Sequence, residues 1–355
     1  MKTRTCDPHA GQSGFSLIEI MVGMVIGLLA IIVMMQVFAV SEERKRTANA
    51  GSDAQNSAVI ALDGMQRDIG QSGYGFAMTR LLGCNLQLPN GAVVPMAPVI
   101  INPAANVIPA GDANTDTLLV AYGLGNDQPE GYNLLGQSGT TYTIVGTGML
   151  RVGDQVIAAP AACGATTLVL GTVTAVNASV VQLSTSAAGT GLFNLGANPR
   201  FLAYAVRNGN LVVCDYMAAN CGSNSALDLA NPAIWRLVAE NIVSLRALYG
   251  HDTSVPMDGI VDEPYDQTTP TTNCTWAKTP AVRLALVARS AQYEKEDITL
   301  GPAPAQWSRS GTVAIGVPTN PDGTADGLWR RYRYRVFETV VPIRNVAWMG
   351  VISGC

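Results

Sequence analysis

Few residues of this chain are placed to do chemistry, and the most telling is a carboxylate. Glu19 stands at the edge of an uncharged apolar run, Ile20 to Val40, directly after Gly14-Phe15-Ser16-Leu17-Ile18. Coiled as a helix, a run of that length extends about 31 Å, enough to cross a hydrocarbon core of roughly 30 Å. A charge at the edge of a membrane segment costs free energy, so its presence there points to a function rather than to packing. Where such helices bundle together, the carboxylate needs a cation from a neighbour. A secretory signal peptide cleaved near Ala39-Val40-Ser41, or a plain single-pass anchor, would explain the apolar run but not the residues in front of it.

Those residues, Gly14-Phe15-Ser16-Leu17-Ile18-Glu19 followed by the apolar run, resemble the N-terminus of type IV prepilins. The resemblance implies a leader ending at Gly14, cleavage between Gly14 and Phe15 by a prepilin peptidase, and N-methylation of Phe15. Glu19 becomes the fifth residue after cleavage, and the new amine on Phe15 of an adjacent subunit becomes its natural partner. Basic residues lie on both sides of the run, Lys2 and Arg4 before it and Arg44, Lys45 and Arg46 after it. Flanking charge therefore leaves the orientation open, and the leader and the cysteines decide for an exported head.

Seven cysteines occur, at 6, 84, 163, 214, 221, 274 and 355. Cys6 falls in the leader, so Cys84, Cys163, Cys214, Cys221, Cys274 and Cys355 remain, an even set that fits an exported domain with up to three disulfides. Cys214 and Cys221 are close enough to close a local loop, and Cys274 with Cys355 could tie down the C-terminus. No C-x-x-C pair occurs and cleavage leaves His251 alone, which argues against zinc. Asp252, Asp258 and Asp262, with Glu263, cluster around Gly259. Their spacing is not that of an EF-hand, so they read as a solvated acidic turn and are only weak metal candidates. No cofactor is expected.

Enzyme motifs are missing: there is no Walker A, no G-x-G-x-x-G after a strand, no G-x-S-x-G and no H-E-x-x-H. A serine hydrolase would need His251, and the adjacent Asp252 cannot be assumed to orient it. The formal net charge of −4 offers no global attraction to nucleic acid.

The elements that carry these residues follow from pattern. Beyond Val40 the helix continues without Pro or Gly to Gly51 and on to about Ser72. Ala50, Ala54, Ala58 and Ala61 make a small-residue stripe, and Val59, Leu62, Met65 and Ile69 an apolar face. Gly70, Gly73 and Gly75 end it. Short strands are expected at Val93-Val94 and Val99–Ile101, then at Thr117–Tyr122, Thr141–Val145, Gln155–Ala158, Thr166–Leu170 and Val180–Leu183. Phe201–Arg207 and Leu211–Asp215 flank Asn208-Gly209-Asn210, a hairpin signal. Ala233–Leu248 reads as a helix, or a helix followed by a strand, leading to a turn at Tyr249-Gly250-His251-Asp252. Val282–Ala288 is a strand, Gly301–Asp326 a mobile segment rich in Pro and Gly, and Trp329–Val341 and Asn345–Ile352 the last strands. Arg331-Tyr332-Arg333-Tyr334-Arg335 interleaves basic and aromatic residues, a pattern that could bind a nucleic-acid strand. The same pattern suits a half-buried strand with solvated arginines, and that reading is preferred.

Met65-Gln66-Arg67-Asp68-Ile69, the turn that follows it, Arg151–Ile157, Glu240–Leu245 and Phe337–Asn345 resemble segments of PilW-type minor pilins. Gly70 departs from the Arg that is common in that family. The implied fold is α+β and type IV pilin-like: a long N-terminal helix, half transmembrane, packed on a large antiparallel β-rich head. The expected divisions are a leader at 1–14, a membrane and assembly half-helix at 15–40, an amphipathic half at 41–75, and a head at 76–355. Within the head a sub-lobe is expected at about 115–205 and the pilin sheet at about 206–355. The resemblance implies a non-catalytic protein that joins other minor pilins and the major pilin, primes pilus assembly and sits at the tip. Its other partners would be the prepilin peptidase and an inner-membrane assembly platform, with the head in the periplasm. The alternatives are a type II secretion minor pseudopilin and a membrane-tethered binding module or adhesin.

Overall fold

The computed structural model describes residues 16–88, 90–125, 130–164, 167–299, 306–307, 311–312, 327–352 and 354–355. Cys6, Gly14, Phe15 and Thr166 lie outside the described residues, as does most of Gly301–Asp326. Two compact units divide at Ala50 and Gly51.

Helix α1, Leu17–Gln71, runs for 55 residues. In the first unit, Leu17–Glu42 has a mean hydropathy of 2.8 and is long and apolar enough to cross a membrane. Every one of these side chains is exposed in the isolated chain. With no polar face, the stretch suits an apolar environment on all sides.

In the second unit α1 turns amphipathic. Ala58, Ala61, Met65 and Ile69 are buried and Leu62 packs at their edge. Val59, expected on this face, is instead 53% exposed, because each helical residue turns about 100° from the last and Ala58 already occupies the inward position. The side chains of Ala50 and Ala54 lie outside those described. The helix ends where Gly73 adopts a φ of +80°, a left-handed conformation that a residue without Cβ enters at least cost.

Three larger sheets and one two-stranded sheet follow among the described residues. β1 (Asn85–Gln87), β2 (Val93–Pro95), β3 (Val99–Ile101) and β4 (Leu118–Tyr122) come first. β5 (Tyr132–Ser138), β6 (Thr141–Ile144), β7 (Gln155–Ala159), β8 (Leu168–Asn177), β9 (Val180–Leu183) and β10 (Gly191–Gly196) come next. These six pair in the order β8-β7-β10-β5-β6-β9, and β9 returns to β8, so the lobe closes into a small barrel. Closure leaves few free edges. Tyr142, Ile144, Val156, Val173, Val181 and Leu192 fill an interior distinct from the main core. β1 attaches to β8 in parallel and β2 to β1 in antiparallel.

The barrel is an insertion between two neighbours. β4 pairs with β11 (Arg200–Arg207), which in turn pairs with β12 (Asn210–Asp215). The β11–β12 turn uses positive φ at Asn208 and Gly209, as the hairpin signal requires. The division expected near residue 206 falls inside this hairpin, because β11 belongs with β12 and β4 rather than with the barrel. After the short helix α2 (Ala226–Leu229), β13 (Arg236–Ala239) completes a five-stranded sheet in the order β13-β12-β11-β4-β3.

The last sheet is built from β14 (Ile242–His251), β15 (Asp262–Asp266), β16 (Ala281–Arg289) and, beyond the two-residue strands β17 (Gln306–Trp307) and β18 (Gly311–Thr312), β19 (Tyr334–Pro342). Helix α3 (Asn273–Ala277) precedes β16 and helix α4 (Arg344–Ala347) follows β19. The strand order is β15-β14-β16-β19, antiparallel throughout. One core joins α1 to this sheet, to the five-stranded sheet and to Trp276 of α3.

Three expectations are corrected. No helix forms over Ala233–Leu248, and only the strand of the second alternative is present: β13 covers Arg236–Ala239, Asn241 takes a φ of +57° and β14 begins at Ile242, where pairing with β12 and β16 overrides helical propensity. The turn expected at Tyr249 begins only at Asp252, since β14 runs through His251. The final strands also differ. A 3₁₀ helix covers Gly327–Arg331, and the strand expected over Asn345–Ile352 is replaced by α4. Pro342 lacks an N–H and Ile343 donates to Pro280 O, which ends the ladder.

Candidate functional site

Glu19 occupies the first turn of α1, where the helix macrodipole favours a negative charge. Ser16 N–H donates to its Oε2 at 3.4 Å, and no other described residue bonds to it. A carboxylate has roughly four acceptor positions, so most of this one's capacity is unused. The surrounding side chains, Leu17, Ile18, Ile20 and Met21, are apolar and exposed.

Several carboxylates of the head are committed. Asp68 follows Met65 and Ala61 on the inward side of α1. It accepts from Tyr122 Oη of β4 at 2.7 Å and from Tyr204 Oη of β11, so a single helical residue holds two strands of the five-stranded sheet. Burial raises the pKa of both tyrosines, and the Asp68 carboxylate raises it further. Gln66 Nε2 donates to Thr339 Oγ1 of β19 at 2.6 Å. Asn345 Nδ2 donates to the carbonyls of Gln71 and Ser72 at 3.0 Å each, which satisfies carbonyls that a helix end leaves open.

Asp116 is 2% exposed. Arg246 Nη1, Ala247 N–H, Gln267 Nε2 and Asn102 Nδ2 donate to it at 2.8 to 3.0 Å. This knot ties the approach to β4 onto β14.

Two family models match the chain. The model described as type IV pilus-assembly protein W matches residues 212–345, and the model of the prokaryotic N-terminal methylation motif matches residues 9–35. These two matches support a PilW-type minor pilin. Among solved structures it is similar to a type IV-like pilin from Thermus thermophilus, at 11% identity and a TM-score of 0.33, over 82% of this chain and 97% of that one. No curated protein matches.

The W-type match spans β12 through the start of α4, so in this chain it covers Arg246, Gln267, Thr339 and Asn345 among the anchors. The roles of Asp68 and Asp116 were not assigned from sequence. A usable signal existed for Asp68: it sits three residues after buried Met65 beside an apolar face, and a carboxylate drawn partly out of water must find donors.

The remaining candidates serve the head's own structure. Asp252 is buried and accepts from the N–H groups of Ser254, Asp258 and Gly259. Asp262 accepts from Thr253 N–H and Oγ1 at 2.8 Å, and these bonds hold its carboxyl below the ordinary value. Asp258 accepts from Ile260 N–H. The three weak metal candidates thus staple one turn, and among the described residues no group of three or more His, Cys, Asp or Glu could hold a metal ion. The partner of His251 is not Asp252 but Asp266, at 3.3 Å from Nε2, with Thr279 Oγ1 at 3.2 Å from Nδ1. In that trio Thr279 is 1% exposed and its hydroxyl donates to Thr275 O. In the basic and aromatic stretch, Arg331 pairs with Asp297 and Arg333 with Glu294, while Arg289 lies over the Tyr332 ring.

The cysteines join as Cys84–Cys163, Cys214–Cys221 and Cys274–Cys355. The first links the loop after α1 to the barrel. Arg80 supports the same contact by donating to Pro160 O, Ala159 O and Thr190 Oγ1. The second closes the end of β12, and the third ties α3 to the last residue.

Proposed function

We propose that this minor pilin primes assembly of a type IV pilus by joining other minor pilins through its N-terminal helix, and that it comes to rest at the pilus tip. The observation that carries this reading is Glu19, a carboxylate with most of its acceptor positions unused in a helix apolar on every side. In a filament core of such helices a bare carboxylate is strongly unfavourable, and a cation from the next chain removes the penalty. The amine of a processed Phe15 is that cation. Gly14 supplies the cleavage point for a prepilin peptidase, and an inner-membrane platform extracts the subunit, whose head stands in the periplasm.

A type II secretion minor pseudopilin would share this N-terminus, and the match of residues 212–345 to the pilus-assembly family favours the pilus. A tethered binding module would not need Glu19 at all. Mass spectrometry of the N-terminal peptide from host membranes tests entry into the pathway. The expected chain begins at N-methylated Phe15; an intact Met1, or a start near Ser41, would contradict the proposal. Co-purification of the other minor pilins with the wild-type chain, and their loss with Glu19→Ala, tests the priming step.

A further inference from the structure

Where α1 ends, Gly70, Gln71, Tyr74, Arg344, Asn345 and Trp348 line a cavity of about 370 Å³ within the head. That volume lies in the roughly 300–1,000 Å³ range of small-molecule pockets. Trp348 is 78% exposed, a large aromatic left open beside a concavity instead of in the core. Among the described residues Arg344 has no ion-pair partner, and neither the Tyr74 hydroxyl nor the Gln71 amide has a hydrogen-bond partner. Asn345 directs its amide N–H groups to the end of α1, which leaves its Oδ1 available. Gly70 is helical, with nothing within 4 Å of where a Cβ would stand. Packing does not demand glycine there and alanine would suit the helix better, so its effect is to keep one wall of the cavity low.

We infer that this cavity binds a saccharide unit that carries a carboxylate, a hexuronic acid being the simplest. The exposed ring of Trp348, with the half-buried Tyr74 beside it, offers negative π surface to the C–H groups of a pyranose ring. Gln71 and Asn345 Oδ1 match its hydroxyls. The planar fork of Arg344 pairs with the carboxylate at two points, which a neutral sugar cannot exploit. The site lies wholly within the second compact unit, Gly51–Cys355.

The test titrates the full-length chain in detergent with a glucuronic acid oligosaccharide and, in parallel, a glucose oligosaccharide of the same length, by calorimetry and tryptophan fluorescence. Saturable binding of the uronate is expected at about millimolar dissociation constant or tighter, with a preference of about tenfold over glucose. Arg344→Gln should erase the preference. Trp348→Ala, at an exposed position, and Gly70→Leu, which fills open space, should each weaken uronate binding about tenfold with the thermal midpoint unchanged. Equal affinity for the two sugars, indifference to Trp348→Ala and Gly70→Leu, or no saturation by about 50 mM would each overturn the assignment.

Discussion

Glu19 and Asp68 are carboxylates on the same helix, 49 residues apart, and their surroundings have opposite logic. Asp68 meets two tyrosine hydroxyls of its own chain, and Asp116, deeper in the head, meets four donors. Glu19 meets one long backbone bond and otherwise apolar side chains. A carboxylate that its own chain satisfies contributes to the fold, because removing it leaves buried donors unpaired. A carboxylate left unsatisfied among apolar residues contributes nothing to the fold and gains its value when another molecule supplies the cation. On the proposed function, the difference separates the part of the molecule that folds from the part that assembles.

The largest effect on stability should come from Asp116. Asp116→Ala strands Arg246 and three further donors, and is expected to cost about 3–5 kcal/mol in chemical denaturation of the full chain. A loss below about 1 kcal/mol would mean that the head's carboxylates are no more committed than Glu19. Next comes the Cys84–Cys163 bridge, whose replacement by two alanines should cost about 2–4 kcal/mol and loosen the loop after α1 first, as read by hydrogen exchange.

Tyr204→Phe removes one of the two donors to Asp68, at an expected cost of about 1.5–3 kcal/mol. It also sharpens the comparison through pH. Tyr122 and Tyr204 have folded-state pKa values raised above the ordinary 10.0. Their contribution is therefore complete below pH 10 and lost as pH rises through the folded values, at about 1.4 kcal/mol per pH unit for each tyrosine. Tyr204→Phe should flatten that alkaline slope by one tyrosine's share. The smallest effect is expected from Glu19→Ala, whose head should unfold within about 0.5 kcal/mol of wild type.

The legible parts of this chain were local. The signal Gly14 to Glu19, the length of the apolar run and the Asn208-Gly209 hairpin each depend on a few adjacent residues, and α1, β11 and β12 fall where these predicted. Strands β5 and β10 were not anticipated, because Gly131, Gly136, Gly191 and Gly196 dilute their apolar pattern. At Gly191 the need for glycine is tertiary: a Cβ would stand 3.0 Å from the Arg80 guanidinium. The helix expected over Ala233–Leu248, alone or ahead of a strand, failed for a related reason, since Ile242–Leu248 is the strand that pairs with β16. The anchors were invisible as a set. Asp68, Tyr122 and Tyr204 come together across separations of 54 and 136 residues, which no local pattern records.

The central claim is that Glu19 is completed by another chain. The direct measurement is the ratio of Glu19→Ala to wild-type protein in sheared pili relative to membranes, in a host carrying each as its sole copy. A loss from the pilus fraction of tenfold or more, about 1.4 kcal/mol of lost association, is predicted, with the head's unfolding midpoint unchanged. Full incorporation of Glu19→Ala would contradict the account and leave the carboxylate with no role in assembly.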